Sequence, residues 1–349
     1  MAFTKPQFKR ADVDRAGHVL ASQSATPEER DGALTVVNNW RSSHAYPLLS
    51  IRTTLRQRAR SVYGGAVVAQ RIKRIPAIQA KLQKNPHMKL SQMHDIGGCR
   101  AILFPSWLVE ELVKVYEKAD SRNPQRGMQF VKKFDYISSP KADGYRSIHL
   151  VYKYRTTSKK LAVYNGLRIE IQIRSYIQHL WATAVETVDT YTGQALKSNL
   201  GAASWQRFFA LVSSAFASLE AETLVPGTPS VLLELKAELE KHKDQIDTLN
   251  RLREVTDILT FKTIYARFFL ILLDSKEKKL KIESFTKEQL QKAQDRYLEV
   301  EKANKDNPHM QAVLVSVDSV AALKKAYPNF FMDTVGFMAQ LNMWWASVH

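Results

Sequence analysis

Residues 168–174, RIEIQIR, alternate strictly between isoleucines and charged or amide side chains. A β-strand points successive side chains to opposite faces, so Ile169, Ile171 and Ile173 share one face. Arg168, Glu170, Gln172 and Arg174 share the other. A helical period of 3.6 cannot separate these two sets. The segment therefore demands a sheet with one buried face and one face that sets a carboxylate between guanidiniums. That second face is either the wall of a polar cleft or a solvated antiparallel surface, and the pattern alone fits both.

Other segments supply the remaining elements. CRAILFPS (99–106) is a short apolar run stopped by proline, and MQFVKKFDYI (128–137) and SIHLVYKYR (147–155) read as strands. Residues 160–174 read as a hairpin turning at Asn165–Gly166. Helices are expected through 1–60, with polar breaks near Ser22–Thr26 and Ser42–Tyr46, and at 107–119, 176–192 and 204–222. Val67–Leu82, after Gly64–Gly65, has an apolar helical periodicity, and Pro76 places a helix start near it. Two prolines and a glycine within Leu224–Ser230 mark a linker. It divides residues 1–224 from a mainly helical part, 231–349. Helices are expected there at 231–256, 260–273 and 285–303, with a lone strand at 311–319 and two short helical pieces after it.

Charge separates the same two parts. The net charge is +17, of which +16 falls in residues 1–224. So basic a front part suits a polyphosphate or a nucleic-acid backbone, although a plain solvated basic surface has the same count. Cys99 is the single cysteine, which leaves no intramolecular disulfide and no Cys-rich zinc site, and fits a reducing, cytoplasmic setting. The first residues lack the apolar core of a secretory signal, and Ile264–Leu273 is too short to cross a bilayer, so no membrane partner is expected.

Three places could carry chemistry. Asp95, in HDIGGCRAI, stands just before a strand with Arg100 beyond it. With Glu170 it suits a magnesium–phosphate site, since Mg2+ takes one or two carboxylates and leaves its other positions to water and phosphate. A turn-capping aspartate is the plainer alternative. In SSPKADGYRSIHL (138–150), Pro140, Asp143 and Gly144 form a turn and Lys141 and Arg146 add charge. Tyr145 is expected at an exposed loop tip, where a ring flanked by cations can stack a nucleobase. No GxxxxGK[ST] or GxGxxG is present, so a nucleotide would be held by side chains such as Arg71, Lys73 and Lys81. His44, His179 and His242 are scattered without metal-ligand spacing.

Taken in order, RIKRIPAIQAKL (71–82), HDIGGCRAI (94–102), DYISSPKADGYRSIHL (135–150) and EIQIRSYIQHLWATAVE (170–186) resemble the synthetase domain of RelA/SpoT proteins. The resemblance implies an α+β fold, a mixed β-sheet flanked by helices and related to nucleotidyltransferases. It implies a pyrophosphokinase in which ATP donates its β,γ-pyrophosphate to a ribose 3′-oxygen and AMP leaves. By position, Arg71, Lys73, Lys81 and Arg100 would grip ATP. Asp95 and Glu170 would be catalytic and hold Mg2+, with Glu170 alternatively the base on the attacking hydroxyl. Tyr145 would stack on the acceptor base, with Lys141, Arg146 and His149 by its phosphates or ribose, and Gln172 and Arg174 completing the wall. Phe134 departs from the pattern, because many alarmone synthetases have a basic residue there. Too few residues precede Arg71 for the hydrolase domain of long members, so His94–Asp95 is not read as an HD-phosphohydrolase site.

VVNNWRSSHAYPL (36–48) and WATAVETVDTYTGQALKS (181–198) are similar to toxic small alarmone synthetases, including CapRel-like fused toxin–antitoxin proteins. That similarity implies a tRNA 3′-CCA end as acceptor, arrest of translation, and a C-terminal module, 231–349, that restrains the enzyme and senses a phage protein. The alternatives are a (p)ppGpp synthetase using GDP or GTP, and an inactive nucleic-acid-binding module.

Overall fold

In the computed structural model, RIEIQIR forms β5 (Arg168–Ser175) of a nine-stranded mixed sheet. Residues 3–122, 127–192, 203–252, 257–260, 266–277, 279–304, 307, 309–317, 319–331 and 334–349 are described. The front strands are β1 (Val67–Ile72), β2 (Gly97–Leu103), β3 (Met128–Asp135) and β4 (Ile148–Tyr154). Residues beyond 230 add β6 (Asp257–Thr260), β7 (Phe268–Asp274), β8 (Lys279–Phe285) and β9 (Met310–Ser316). The order is β3-β4-β5-β2-β1-β9-β7-β8-β6. β5 runs parallel to β2 and antiparallel to β4.

The alternation sorts the two faces as expected. Ile169, Ile171 and Ile173 are fully buried with Leu48, Ile51 and Leu55 of α3 (Ala45–Val62) and Leu112 and Tyr116 of α5 (Trp107–Arg122). Burial of such a side chain contributes about 1.5–3 kcal/mol, enough to fix the register against a one-residue slip. The opposite face carries the polar residues. Before α3 lie α1 (Arg10–Ala21) and α2 (Pro27–Ser43), and α4 (Ile75–Lys84) follows β1. α6 (Tyr176–Thr192) and α7 (Ala203–Leu219) follow β5, with residues 193–198 of the expected motif outside the described residues. Among the described residues no helix is long and apolar enough to cross a membrane.

Several expected elements differ. Within the stretch read as helical, Val67–Ile72 is a central strand because β2 and β9 bond it on both sides, while the helix starts at Ile75 beside Pro76, as expected. Residues 162–164 form one 3-10 turn instead of a hairpin arm, and β4 is the antiparallel partner of β5. The helix expected at 231–256 is broken into α8 (Leu232–Leu239) and α9 (Lys243–Arg251), with 253–256 outside the described residues. The helix expected at 260–273 is strand β7 from Phe268 on, residues 261–265 lying outside the described ones. Its unbroken apolar run is buried on both faces, a pattern that periodicity cannot tell from a buried helix. β8 takes the start of the helix expected at 285–303, which begins as α10 (Leu290–Ala303). The expected lone strand, β9, pairs with both β1 and β7. α11 (Val320–Ala326) and α12 (Val335–Ser347) close the chain.

Beyond the sheet, buried Arg41 of α2 pairs with Glu301 of α10 at 2.5 Å, and Tyr297 Oη donates to the same carboxylate at 2.7 Å. The residues after 230 are thus packed on the front part through the sheet and through a buried ion pair.

Candidate active site

Strand register gathers the polar side chains on one face. Gly98 of β2 stands level with Arg71 of β1 and with Glu170 of β5. Arg100 is level with Gln172, which is level with His149 of β4, which is level with Phe134 of β3. A Cβ on Gly98 would meet no atom within 4 Å, so open space lies between Arg71 and Glu170. Away from β1 the face opens into a cleft of about 570 Å³ that includes Lys81, Asp95, Lys141, Tyr145, Glu170 and Gln172.

Asp95 receives Lys73 Nζ at 2.7 Å on one carboxylate oxygen and Lys81 Nζ at 2.8 Å on the other. Lys73 follows β1 and Lys81 lies on the last turn of α4, so the strand-to-helix connection brings both cations to one acid. Burial pushes the Asp95 carboxyl up, but the two ammonium groups outweigh it and hold it well below the usual carboxylate range. Glu170 accepts from Gln172 Nε2 at 2.8 Å and faces His149 Nδ1 at 3.1 Å. His149 Nε2 lies 2.7 Å from Tyr145 Oη, and Arg174 donates to that phenol oxygen at 2.7 Å. Burial disfavours the His149 charge, yet Tyr145 and Glu170 outweigh it and raise the His149 pKa to about 9. Glu170 stays ionised, its burial offset first by His149.

Tyr145 is therefore not at a free loop tip. Its ring is half-buried, with Lys141 Nζ at 5.1 Å and Arg174 Cζ at 5.2 Å from the centroid. The loop behind it is fixed by Gly144, whose φ is +92° and where an added Cβ would come within 2.9 Å of Ser213 and Trp181, so no side chain fits. Arg146 belongs to this support and not to the cleft. Buried to 3% exposure, it donates to Ser213 Oγ, Ile137 O and Thr223 O and lies 3.6 Å from Glu222. The structure does not bring Arg146 into the cleft with the other expected acceptor residues, because the loop before β4 turns its side chain toward α7 while Tyr145 and His149 line the cleft.

Next to Arg146, Glu220 accepts from Ser175 Oγ at 2.9 Å, and burial first, then the Glu222 charge, push its pKa up to about 7. The native state then keeps a proton that the unfolded chain loses near 4.5, so stability falls as pH rises from about 4.5 to 7. Glu220→Gln is expected to unfold at a higher temperature than wild type at pH 8, by up to about 3 kcal/mol of stability, and to match it at pH 4.5. Thermal unfolding at both pH values checks this, and identical pH dependence in the two proteins would contradict it.

The cations expected to hold ATP fall into two groups. Lys73 and Lys81 flank Asp95, and of these Lys81 and Asp95 line the open cleft. Arg100 and Arg71 lie toward β1, and here the C-terminal residues cover the face. Arg100, 4% exposed, has its guanidinium carbon 5.0 Å from the centre of the Tyr327 ring. Tyr327 Oη donates to Gln70 O at 3.2 Å. Two carbonyls at the end of α11 point the same way: His179 Nε2 lies 2.9 Å from Lys325 O, and Arg100 donates to Ala326 O at 3.4 Å. A helix C-terminus carries partial negative charge, which suits the cations. Burial lowers the Arg100 pKa and Tyr327 counteracts it.

The donor set fits a magnesium ion with phosphates: two carboxylates line one cleft, with empty space beside Gly98. Both oxygens of Asp95 are engaged by lysines, so one ammonium must give way when an ion binds. Sequence reasoning missed Tyr136 as part of the cleft, although Phe134 and Tyr136 are two residues apart at a strand end and so share a face. It also missed Tyr327, whose role depends on a long-range contact that no local pattern encodes.

Comparison with known proteins agrees with the sequence motifs. Residues 70–195 match the region found in RelA / SpoT proteins. The chain is 32% identical over 91 residues to GTP pyrophosphokinase YwaC of Bacillus subtilis (strain 168), covering 26% of this chain and 40% of that protein. It is 31% identical over 131 residues to GTP pyrophosphokinase YjbM of the same organism, covering 36% of this chain and 57% of the relative. The chain thus spans about half the length of these relatives. Among solved structures, small alarmone synthetase 1 from Bacillus subtilis bound to its product pppGpp aligns with a TM-score of 0.42 and 21% identity, over 55% of this chain and 94% of that one. A GTP pyrophosphokinase family protein from Streptococcus pneumoniae aligns with a TM-score of 0.40 and 20% identity, over 66% and 100%.

Proposed function

We propose that this chain, which carries a RelA/SpoT-type synthetase region, is an ATP-dependent pyrophosphokinase acting on a ribose 3′-hydroxyl. The observation that supports it most is the single sheet face where Arg71 and Glu170 flank the open space at Gly98, with Lys73, Lys81 and Asp95 at its edge. Phosphoryl-type transfer needs positioning and charge neutralisation more than covalent chemistry. The acceptor 3′-oxygen bonds to the β-phosphorus of ATP, the bond from that phosphorus to the oxygen bridging to the α-phosphate breaks, and AMP leaves. Arg71, Lys73, Lys81 and Arg100 stabilise the negative charge that develops. Glu170 accepts the hydroxyl proton, held in place by His149 and Gln172. Asp95 and Glu170 would hold Mg2+, which when bound supplies further positive charge against the transferring phosphates.

The acceptor that the resemblance to toxic small alarmone synthetases suggests is an RNA 3′ end, specifically the tRNA 3′-CCA, and the charge of the front part supports it. The front part carries +16 of the net charge, and backbone binding draws on many cations. Phe134 lines the cleft at the position where, by the resemblance, many alarmone synthetases have a basic residue. A guanosine nucleotide is the second reading, favoured by the names of the two relatives. Labelled ATP offered with tRNA and GDP together is expected to label tRNA through its terminal 3′-oxygen, and Tyr145→Ala is expected to lower that transfer at least a hundredfold. Label in GDP alone would reject the RNA reading and keep the enzyme, and label in neither would reject both.

The residues after 230 are proposed to restrain the enzyme, with Tyr327 and the end of α11 occupying the cations that ATP would use. A partner that draws this segment away would release a translation-blocking toxin in the cytoplasm, and a phage protein is the partner that the resemblance suggests.

A further inference from the structure

The cleft holds a second aromatic surface that the transfer reaction does not use. Phe134 and Tyr136 form an offset-stacked pair, ring centres 5.9 Å apart and planes only 10° from parallel, so their outer faces point along one direction. Both are half-buried and line the same cleft as Glu170 and Tyr145. Phe134 is level with His149 in the strand register, so the platform begins beside the acceptor centre. The Tyr145 ring lies 5.9 Å from Tyr136 but is turned by 68°. A base lying flat on Tyr145 cannot also lie flat on Phe134 and Tyr136, so the two surfaces suit two different bases.

We infer that Phe134 and Tyr136 form a stacking subsite for the nucleotide preceding the one that accepts pyrophosphate. This rests on the RNA-acceptor reading and deepens it. Each ring already has a cation over it: Lys132 Nζ is 4.7 Å from the Phe134 centroid, and Lys141 Nζ is 4.6 Å from that of Tyr136. Such contacts at exposed sites are weak beside base–aromatic stacking, so an arriving base displaces the ammonium groups. They remain close enough to meet the connecting phosphate. A mononucleotide has no second base and would leave the platform empty, whereas a single-stranded 3′ end fills it.

The test compares two RNA acceptors with the same CCA terminus and the same phosphates, one of them abasic at the penultimate position. Wild type is expected to favour the intact RNA by roughly tenfold to a hundredfold in kcat/KM, the range that loss of one stacked base produces. Phe134→Leu keeps an apolar residue at the strand end and is expected to bring the two acceptors close to equality, and Phe134→Tyr to keep the preference. Equal use of both RNAs by wild type, or an undiminished preference in Phe134→Leu, would overturn the subsite while leaving RNA as the acceptor. Failure of both RNAs alongside transfer to GDP would instead overturn the RNA reading, and the subsite with it.

Discussion

Tyr327→Ala is expected to lower the apparent KM for ATP by at least tenfold and to make expression of the chain more harmful to the host cell. The ring lies against Arg100, its hydroxyl bonds Gln70 O, and it is 1% exposed among Ala69, Phe330 and their neighbours. Truncating a buried aromatic costs about 3–5 kcal/mol. Part of that loss falls on the covered arrangement alone, because the uncovered one does not seat Tyr327 on Arg100. If only 1.4 kcal/mol is so assigned, the uncovered population and hence apparent ATP affinity change tenfold. Tyr327→Phe loses only the hydroxyl bond, about 1 kcal/mol, and should give a shift of a few fold. An unchanged KM in both folded variants would mean that Tyr327 does not compete with ATP.

Asp95→Asn and Glu170→Gln should each reduce pyrophosphate transfer by at least a thousandfold. The two replacements fail for different reasons. Asparagine at 95 leaves Lys73 and Lys81 beside a neutral amide, repelling each other, and removes a carboxylate from the proposed ion site. Glutamine at 170 keeps a partner for Gln172 but cannot accept the hydroxyl proton. Thermal unfolding separates these effects: Asp95→Asn is also expected to lose about 2–4 kcal/mol of stability, since removing one member of a buried ion pair strands its partners. A transfer rate near wild type in either variant would remove that residue from the catalytic centre.

Much of the front sheet was legible because alternation is unambiguous. RIEIQIR could only be a strand with one apolar face, and Arg168, Glu170 and Gln172 line the cleft, whereas Arg174 lies buried with its guanidinium on Tyr145 Oη. Asp95 and Glu170 were expected together from charge type and position, and both line the one cleft. The C-terminal part was less so. Phe268–Leu273 is apolar at every position, so its strand character is set by β8 and β9 on either side and not by its own pattern. Arg146 was misplaced because loop charge gives no direction, and the direction is set by Ser213 and Glu222 far along the chain. Tyr327 is 227 positions from Arg100 and has no motif of its own, so its contact emerges only when β9 joins β1.

The central claim is that the site moves pyrophosphate and not a single phosphate. The most direct measurement is the nucleotide released during transfer from γ-labelled ATP, resolved as AMP or ADP and compared with label gained by the acceptor. One AMP for each labelled acceptor, with no ADP, is the predicted result. ADP as the released nucleotide, or labelled acceptor without matching AMP, would contradict it.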